Sequence, residues 1–111
     1  MGGAEQVKNG AAGRYIGLAA ASRSLVCGCE LAINAMRKAP DKIYLMLLAA
    51  DASERTAKQT RDKCAYYQTE LISTDMTMEE ISHFAGKSGL VSVCAVTNKG
   101  LADKIREELL R

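Results

Sequence analysis

Two cysteines flank a glycine in Cys27-Gly28-Cys29, and this is the most enzyme-like pattern in the chain. A thiol at the start of a helix can be activated because the helix dipole favours the thiolate, and Cys29 stands where a helix is predicted to begin. The spacing, however, is neither the C-x-x-C of redox motifs nor that of usual metal ligands. Together with Cys64 and Cys94, these residues fit small buried side chains that stay reduced in a cytosol. We expect no metal and no cofactor.

Other catalytic patterns in the chain are incomplete. His83 is the only histidine, and no nucleophile pattern such as G-x-S-x-G accompanies it, so we expect it on a helix surface. Gly86-Lys87-Ser88-Gly89 resembles a phosphate loop only superficially, because it stands between a helix and a strand. A helix C-cap followed by a turn is the better interpretation. The sequence therefore indicates a protein that is not an enzyme.

The remaining candidate is a binding surface that begins at Gly28. Glycine lets the backbone turn tightly, and the amides that open the next helix can bind phosphate or base-edge acceptors. Glu30, Asn34 and Arg37 follow at i, i+4 and i+7, together with Asp41 at i+11, so they share one helix face. Carboxylate, amide and guanidinium groups can all contact bases or phosphates. Helical spacing alone nevertheless favours an ordinary solvated face.

Length and composition limit the broader class of protein. The 111 residues are enough for one domain, residues 1–111, and 48% of them are hydrophobic. Residues 1–10 look like a loose polar segment. A net charge of +2 permits nucleic-acid binding without arguing for it. No stretch is apolar enough for a membrane span, and no signal peptide is apparent, so we expect a cytoplasmic protein without a membrane partner.

Predicted helices and strands alternate along the chain. Helices are expected at about 12–22, 29–38 and 54–67, and Pro40 should end the second while Ser53 caps the third. A fourth helix is opened by the Thr77–Glu80 capping box, and a fifth is capped by Thr97 or Asn98. Strands are expected at 25–27, 42–50, 70–73 and 90–96. The predicted buried positions of the first two helices are Tyr15, Leu18, Ala19 and Ser22, then Leu31, Ala32, Ala35, Met36 and Ala39. The alternation predicts an α/β protein, a three-layer sandwich in which helices cover a four-stranded sheet.

The order of several segments resembles one known family. These segments are Ile16-Gly17-Leu18-Ala19, Gly28-Cys29-Glu30-Leu31, Ala35-Met36-Arg37, residues 48–53, Asp62-Lys63-Cys64, residues 80–87 and residues 93–100. Over about residues 14–109 they are similar to the L-seven-Ae/L-thirty-e family of ribosomal, kink-turn-binding proteins, and to its bacterial YlxQ-type members in particular. The resemblance implies a single α/β/α sandwich with a mixed four-stranded sheet. It also implies structured RNA as the partner, either a kink-turn or ribosomal RNA. We expect no DNA partner, and a monomer is the default because the sequence gives no clear oligomer signal.

The resemblance also implies the site residues. In the family, the N-terminal end of the second helix docks into the widened major groove of a kinked RNA helix with tandem sheared G·A pairs. A loop before the last strand then closes over a flipped-out nucleotide. The matching residues in this chain are Gly28, Cys29, Glu30, Asn34, Arg37, Asp51, Lys87, Ser88, Gly89, Leu90 and Val91.

Four positions depart from the family pattern. Asn34 stands in place of a lysine, Ala50 in place of a glutamate, Cys29 in place of a threonine, serine or glutamate, and Ser82 in place of a glycine. Loss of the lysine charge motivates an alternative hypothesis, a protein-interaction or ribosome-assembly module on the same fold with weakened RNA binding. Thiol chemistry at Cys29 is a third hypothesis.

Overall fold

The computed structural model describes residues 3–110, with side chains from Gly10 onward. Within these residues, helices and strands alternate in the order predicted from the sequence. The elements are α1 (Gly3–Ala21), β1 (Leu25–Cys27), α2 (Cys29–Lys38), a 3-10 turn (Pro40–Lys42), β2 (Leu45–Leu48), α3 (Glu54–Tyr67), β3 (Leu71–Ser73), α4 (Met78–Ala85), β4 (Val93–Val96) and α5 (Lys99–Leu110). None of these helices is long and apolar enough to cross a lipid bilayer.

The four strands form one mixed sheet in the order β1-β4-β2-β3. β2 and β3 are parallel and are joined by α3, whereas β4 runs antiparallel to both β1 and β2. The buried residues form two clusters, one on each face of the sheet. Ile16, Ile81 and Ile105 bring α1, α4 and α5 to one face, and Met36 and Cys64 bring α2 and α3 to the other. The predicted three-layer α/β/α sandwich is confirmed.

The central strand β2 is buried on both faces, as its continuous apolar sequence predicts. Leu45 and Leu47 pack in the cluster with α1, α4 and α5, while Met46 and Leu48 pack in the cluster with α2 and α3. The strands are shorter than predicted. β2 begins at Leu45 because the chain before it forms the 3-10 turn, and β4 begins at Val93 because residues 90–92 belong to a loop.

The first helix differs from its prediction in extent and in its buried face. It begins at Gly3, so residues 3–10 are helical rather than loose, and no proline interrupts them; Met1 and Gly2 lie outside the described residues. Ala12, Ile16 and Ala19 are buried, whereas Leu18 is 54% exposed. Gly13 explains which face of α1 is buried, because a Cβ at this position would overlap the ring of Phe84. The glycine side of α1 therefore faces α4.

The second helix has the predicted bounds but a different buried stripe. Ala32, Ile33 and Met36 are buried, while Leu31 is 63% exposed. Ile33 therefore takes the place in the core that the sequence assigned to Leu31, because α2 packs against α3 as well as the sheet. Pro40 ends the helix as expected, and Asp41 lies in the 3-10 turn rather than on the face of α2.

The helix caps are as predicted. Ser53 Oγ accepts a hydrogen bond from the Thr56 amide at 3.2 Å, and Thr77 and Glu80 form a complete capping box. Gly86 ends α4 in the left-handed conformation with φ 70°. Of the two candidates for α5, Asn98 is the cap, because its Oδ1 accepts a hydrogen bond from the Leu101 amide at 2.9 Å. These caps follow from local sequence because both partners lie within three residues.

Candidate functional site

Three loops lie together at the end of the sheet where β1 and β2 finish and β4 begins. The Gly28 amide, just after β1, donates to the Val93 carbonyl at 2.8 Å. The Ala49 amide, just after β2, donates to the Ser92 carbonyl at 2.8 Å. These backbone bonds bring the turn before α2, the loop before α3 and the loop before β4 to one edge of the sandwich.

The turn between β1 and α2 depends on the backbone of Gly28. Its φ of 109° and ψ of 140° lie in a region that residues with a side chain rarely adopt. Its amide is paired with β4, and its carbonyl accepts from the Ala32 amide at 2.9 Å to begin α2. Within the described residues, no side chain caps this helix. The first amides of α2 therefore stay available to an external acceptor.

Gly28 and the loop at residues 87–91 line a common cleft. This cleft, of about 250 Å³, is bounded by Cys27 and Gly28 on one side and by residues 87–91 on the other. The two segments are about 60 positions apart in the sequence. The structure therefore brings together the predicted turn and the predicted closing loop. We refer to this feature as the turn–loop cleft.

The loop at 87–91 is held by a residue outside the predicted site. The Ser82 hydroxyl on α4 donates to the Lys87 carbonyl at 2.9 Å and also lies in hydrogen-bond contact with the Gly89 carbonyl. A hydroxyl has one proton, so the two carbonyls share it. The Lys87 amide in turn donates a hydrogen bond of 2.9 Å to the Ser82 carbonyl. Ser82 is buried. The sequence distinguished this residue only because it replaces a glycine that is usual in the family.

The apolar residues of the cleft divide into one that is buried and others that are exposed. Val91 is only 4% exposed and belongs to the core, whereas Leu90 is 68% exposed. Of the two apolar residues in the predicted closing loop, Leu90 is therefore the side chain available to a ligand. Leu31, in the first turn of α2, is also exposed. The sequence placed Leu31 in the core, so its position beside Glu30 on the surface is a new feature of the site.

The outer face of α2 carries three of the predicted polar residues. Glu30, Asn34 and Arg37 are all exposed on this helix. Cys29 differs, because its side chain is half-buried and Sγ lies 3.9 Å from both Gln59 Oε1 and Thr60 Oγ1 of α3. The thiol therefore packs against the neighbouring helix, and only the backbone of Cys29 belongs to the exposed turn.

Asp51 follows β2 at the same end of the sheet, but its carboxylate already has a partner. Oδ1 accepts a hydrogen bond from the Met78 amide at 2.8 Å, in the first turn of α4. The neighbouring Ala50 amide donates to the Met76 carbonyl at 2.7 Å. Asp51 thus links the loop before α3 to the start of α4. The rest of its side chain is exposed to solvent.

Burial sets the protonation of three of the four thiols. Desolvation raises the pKa of the Cys27 thiol, and the positive charge of Lys87 partly opposes this rise. Burial raises the pKa of Cys64 to about 11 and that of Cys94 further still. These three thiols are therefore protonated at neutral pH. Among the side chains described, no group of three or more histidine, cysteine or acidic residues is placed to hold a metal ion.

Sequence comparison identifies one family over most of the chain. Residues 11–106 match the model of the ribosomal protein L7Ae/L30e/S12e/Gadd45 family. RNA-binding protein YlxQ of Bacillus subtilis (strain 168) is 39% identical over 90 residues, which cover 81% of this chain and 86% of that protein. RNA-binding protein YlxQ of Enterococcus faecium is 34% identical over 92 residues, covering 83% and 84%.

Solved structures share the fold. A Bacillus halodurans protein of unknown function superposes with a TM-score of 0.77 at 25% identity, covering 90% of this chain and 97% of that one. The 15.5kD RNA binding protein of Giardia lamblia superposes with a TM-score of 0.72 at 14% identity, covering 87% and 80%.

Proposed function

Since the chain belongs to the ribosomal protein L7Ae/L30e/S12e/Gadd45 family, we propose that it is a non-catalytic RNA-binding protein that recognises a kinked RNA helix. The observation that carries this proposal is the turn–loop cleft, in which Gly28 faces residues 87–91. Both relatives that cover most of the chain are RNA-binding proteins by name. A cytoplasmic location and a monomeric state stay predictions of the sequence.

The start of α2 is the part of the proposed site that contacts the base edges. Its uncapped amides and the exposed Glu30 carboxylate project from the same turn. A carboxylate accepts hydrogen bonds from the amino groups of bases, and helix-opening amides bind acceptors such as phosphate oxygens. An A-form major groove is too narrow for such contacts, but a kink widens it. A kinked RNA therefore suits this helix end better than a continuous duplex.

The loop at 87–91 is the part of the proposed site that covers an extruded nucleotide. Leu90 offers an exposed apolar side chain, and Lys87 offers a charge for a phosphate. The Ser82 hydroxyl holds the loop carbonyls on the side away from solvent. A loop held in this way loses less conformational freedom on binding, which favours affinity.

The neutral Asn34 distinguishes this chain from the family pattern. An amide in place of a lysine removes a charge-assisted contact, and such contacts are about twice as strong as neutral ones. More of the recognition then depends on Glu30 and the helix amides. The alternative function, an interaction or assembly module with weak RNA binding, is favoured by this same residue.

The experiment is a titration of the protein against a kink-turn RNA and against the same RNA with its G·A pairs replaced. We expect tighter binding to the kink-turn RNA. Glu30→Ala should reduce this preference by about 10-fold or more, the loss expected for one good base contact. Glu79→Ala, an exposed glutamate on α4, is the matched control and should leave it unchanged.

Two further variants separate specific from electrostatic contributions. Asn34→Lys should increase the affinity, because it restores a cation on the outer face of α2. Lys87→Ala should lower the slope of log affinity against log salt by about one phosphate contact. Equal, weak binding of both RNAs by the wild-type protein would refute kink recognition and support the assembly-module alternative.

A further inference from the structure

The positive charge of the protein is concentrated on one helix. α3 contains four basic residues, Arg55, Lys58, Arg61 and Lys63, and two acidic residues. Its net charge of +2 therefore equals that of the whole chain, because the other residues contain eleven basic and eleven acidic side chains. The low net charge of the whole chain therefore coexists with a locally cationic surface on α3. Clustered basic residues of this kind are typical of nucleic-acid contact surfaces.

The outward side of α3 forms a continuous surface. Its residues line a shallow groove of about 600 Å³ and are Arg55, Lys58, Gln59, Asp62, Lys63 and Tyr66. These positions recur at helical spacing along about 16 Å of the helix axis. Tyr66 is 78% exposed, which is unusual for an aromatic side chain. We refer to this surface as the α3 face.

The α3 face adjoins the proposed RNA site. Cys29, in the first turn of α2, contacts Gln59 and Thr60 of α3. A ligand held by the start of α2 therefore has α3 beside it. We propose that the α3 face is a second RNA-contact surface, which binds the phosphates of a strand that leaves the kink, with Tyr66 packed against a base or ribose at the far end. This inference rests on the proposed function.

Asp62 is the one acidic residue on this face, and its surroundings favour the proposal. The pKa of Asp62 is lowered, first by its hydrogen bond to Lys58 and further by the charges of Lys58, Arg61 and Lys63. The Lys58–Asp62 bridge measures 2.8 Å, and its side chains are 75% and 63% exposed. Exposed ion pairs contribute little to stability. Lys58 can therefore exchange its carboxylate partner for a phosphate.

Two opposite charge changes test this proposal in the full chain. The triple variant Arg55→Gln, Lys58→Gln, Lys63→Gln should weaken binding to a kink-turn RNA with extended stems by at least 10-fold. It should also lower the slope of log affinity against log salt by about 2–3. Asp62→Asn should have the opposite effect on both quantities. Lys104→Gln, at an exposed lysine on α5, removes one positive charge away from the α3 face and should change neither quantity.

The role of Tyr66 is tested separately with the same RNA. Tyr66→Ala should weaken binding by about 5- to 100-fold, the range expected for one stacked base, without a change in salt slope. Lys63 is half-buried and the other substituted residues are exposed, and circular dichroism would check that each variant is folded.

The outcomes distinguish this proposal from the one on which it depends. A smaller slope of log affinity against log salt in the triple variant, with an unchanged preference for intact G·A pairs, would support the proposal for the α3 face. An unchanged slope and affinity in the triple variant and in Asp62→Asn would overturn it, even if Glu30→Ala still abolishes kink recognition, and would leave the α3 face to a protein partner. No RNA binding by the wild-type protein would overturn both proposals.

Discussion

Replacing Gly28 by alanine should damage both the stability of the protein and its proposed RNA site. Gly28 has φ 109° and ψ 140°, and a Cβ at this position would meet no atom within 4 Å. The cost of Gly28→Ala is therefore backbone strain alone, with no side-chain clash. Such strain costs about 1–3 kcal/mol. The smaller entropy of the unfolded alanine chain offsets about 0.4–1 kcal/mol of it.

The net loss in the free energy of unfolding should be about 1–2 kcal/mol. The turn cannot relax easily, because the Gly28 amide is bonded to Val93 and its carbonyl to Ala32. For a domain of this size, the loss corresponds to a fall in Tm of about 5–10 °C. Urea denaturation gives the free energy, and titration with a kink-turn RNA gives the affinity. We expect the affinity to fall by more than the change in folded fraction explains.

Two other glycines provide matched controls for this substitution. Gly86 also has a positive φ, 70°, but in the left-handed helical region, and a Cβ there meets open space. Gly86→Ala should therefore cost less, about 0.5–1 kcal/mol. Gly89 lies in the same cleft with an ordinary φ and open space, so Gly89→Ala should change stability little. If Gly28→Ala were as stable as the wild-type protein and bound RNA equally well, the reasoning from φ would be refuted.

The remaining predictions concern packing, capping and pH. Gly13→Ala should destabilise the protein by about 1–3 kcal/mol relative to Gly10→Ala, because a Cβ at Gly13 overlaps the Phe84 ring whereas one at Gly10 meets nothing within 4 Å. Phe84→Leu in the same chain should recover part of this loss in urea denaturation, and additivity of the two changes would contradict the packing argument. Thr77→Ala should cost about 1 kcal/mol through loss of the α4 capping box, and Thr77→Ser should retain most of the stability. Burial raises the pKa of the Cys64 thiol from 9.0 to about 11, because the folded protein favours the neutral thiol. The stability that this thiol contributes is therefore fully present below pH 9 and is lost as the pH rises through 11. The free energy of unfolding should fall by up to about 1.4 kcal/mol per pH unit in this range. Urea denaturation under reductant from pH 8 to 11 should show this fall, and a Cys64→Ala chain with the same slope would contradict it.

Local sequence was sufficient to predict the order of the elements and most of the helix caps, although not the exact bounds of the strands or of α1. The capping box at Thr77 and Glu80, the N-cap at Ser53 and the C-cap at Gly86 each involve partners only a few residues apart. Their energies depend on neighbours along the chain, so no tertiary information is needed. The unbroken apolar run of β2 likewise predicted a strand covered on both faces, because a strand that is apolar at every position needs cover on both sides of its sheet.

Buried faces and loop contacts could not be predicted in the same way. The periodicity of α2 placed Leu31 in the core, and this was wrong, because packing against α3 buries Ile33 and leaves Leu31 exposed. The partners of Ser82 and Asp51 are equally invisible in the sequence, since the Asp51 carboxylate bonds to an amide 27 positions away. Both contacts exist only because helices and loops meet in three dimensions.

The candidate site shows the same division between sequence and tertiary structure. The sequence by itself determined the alternation of elements, the need for glycine at position 28 and the polar face of α2, because these follow from backbone conformation and helical spacing. Only the tertiary structure decided that Gly28 faces residues 87–91, that the Cys29 thiol packs against α3, and that a cationic helix lies beside the turn. The physical reason is sheet topology: β4 lies between β1 and β2, and this order places loops from distant parts of the chain at one edge.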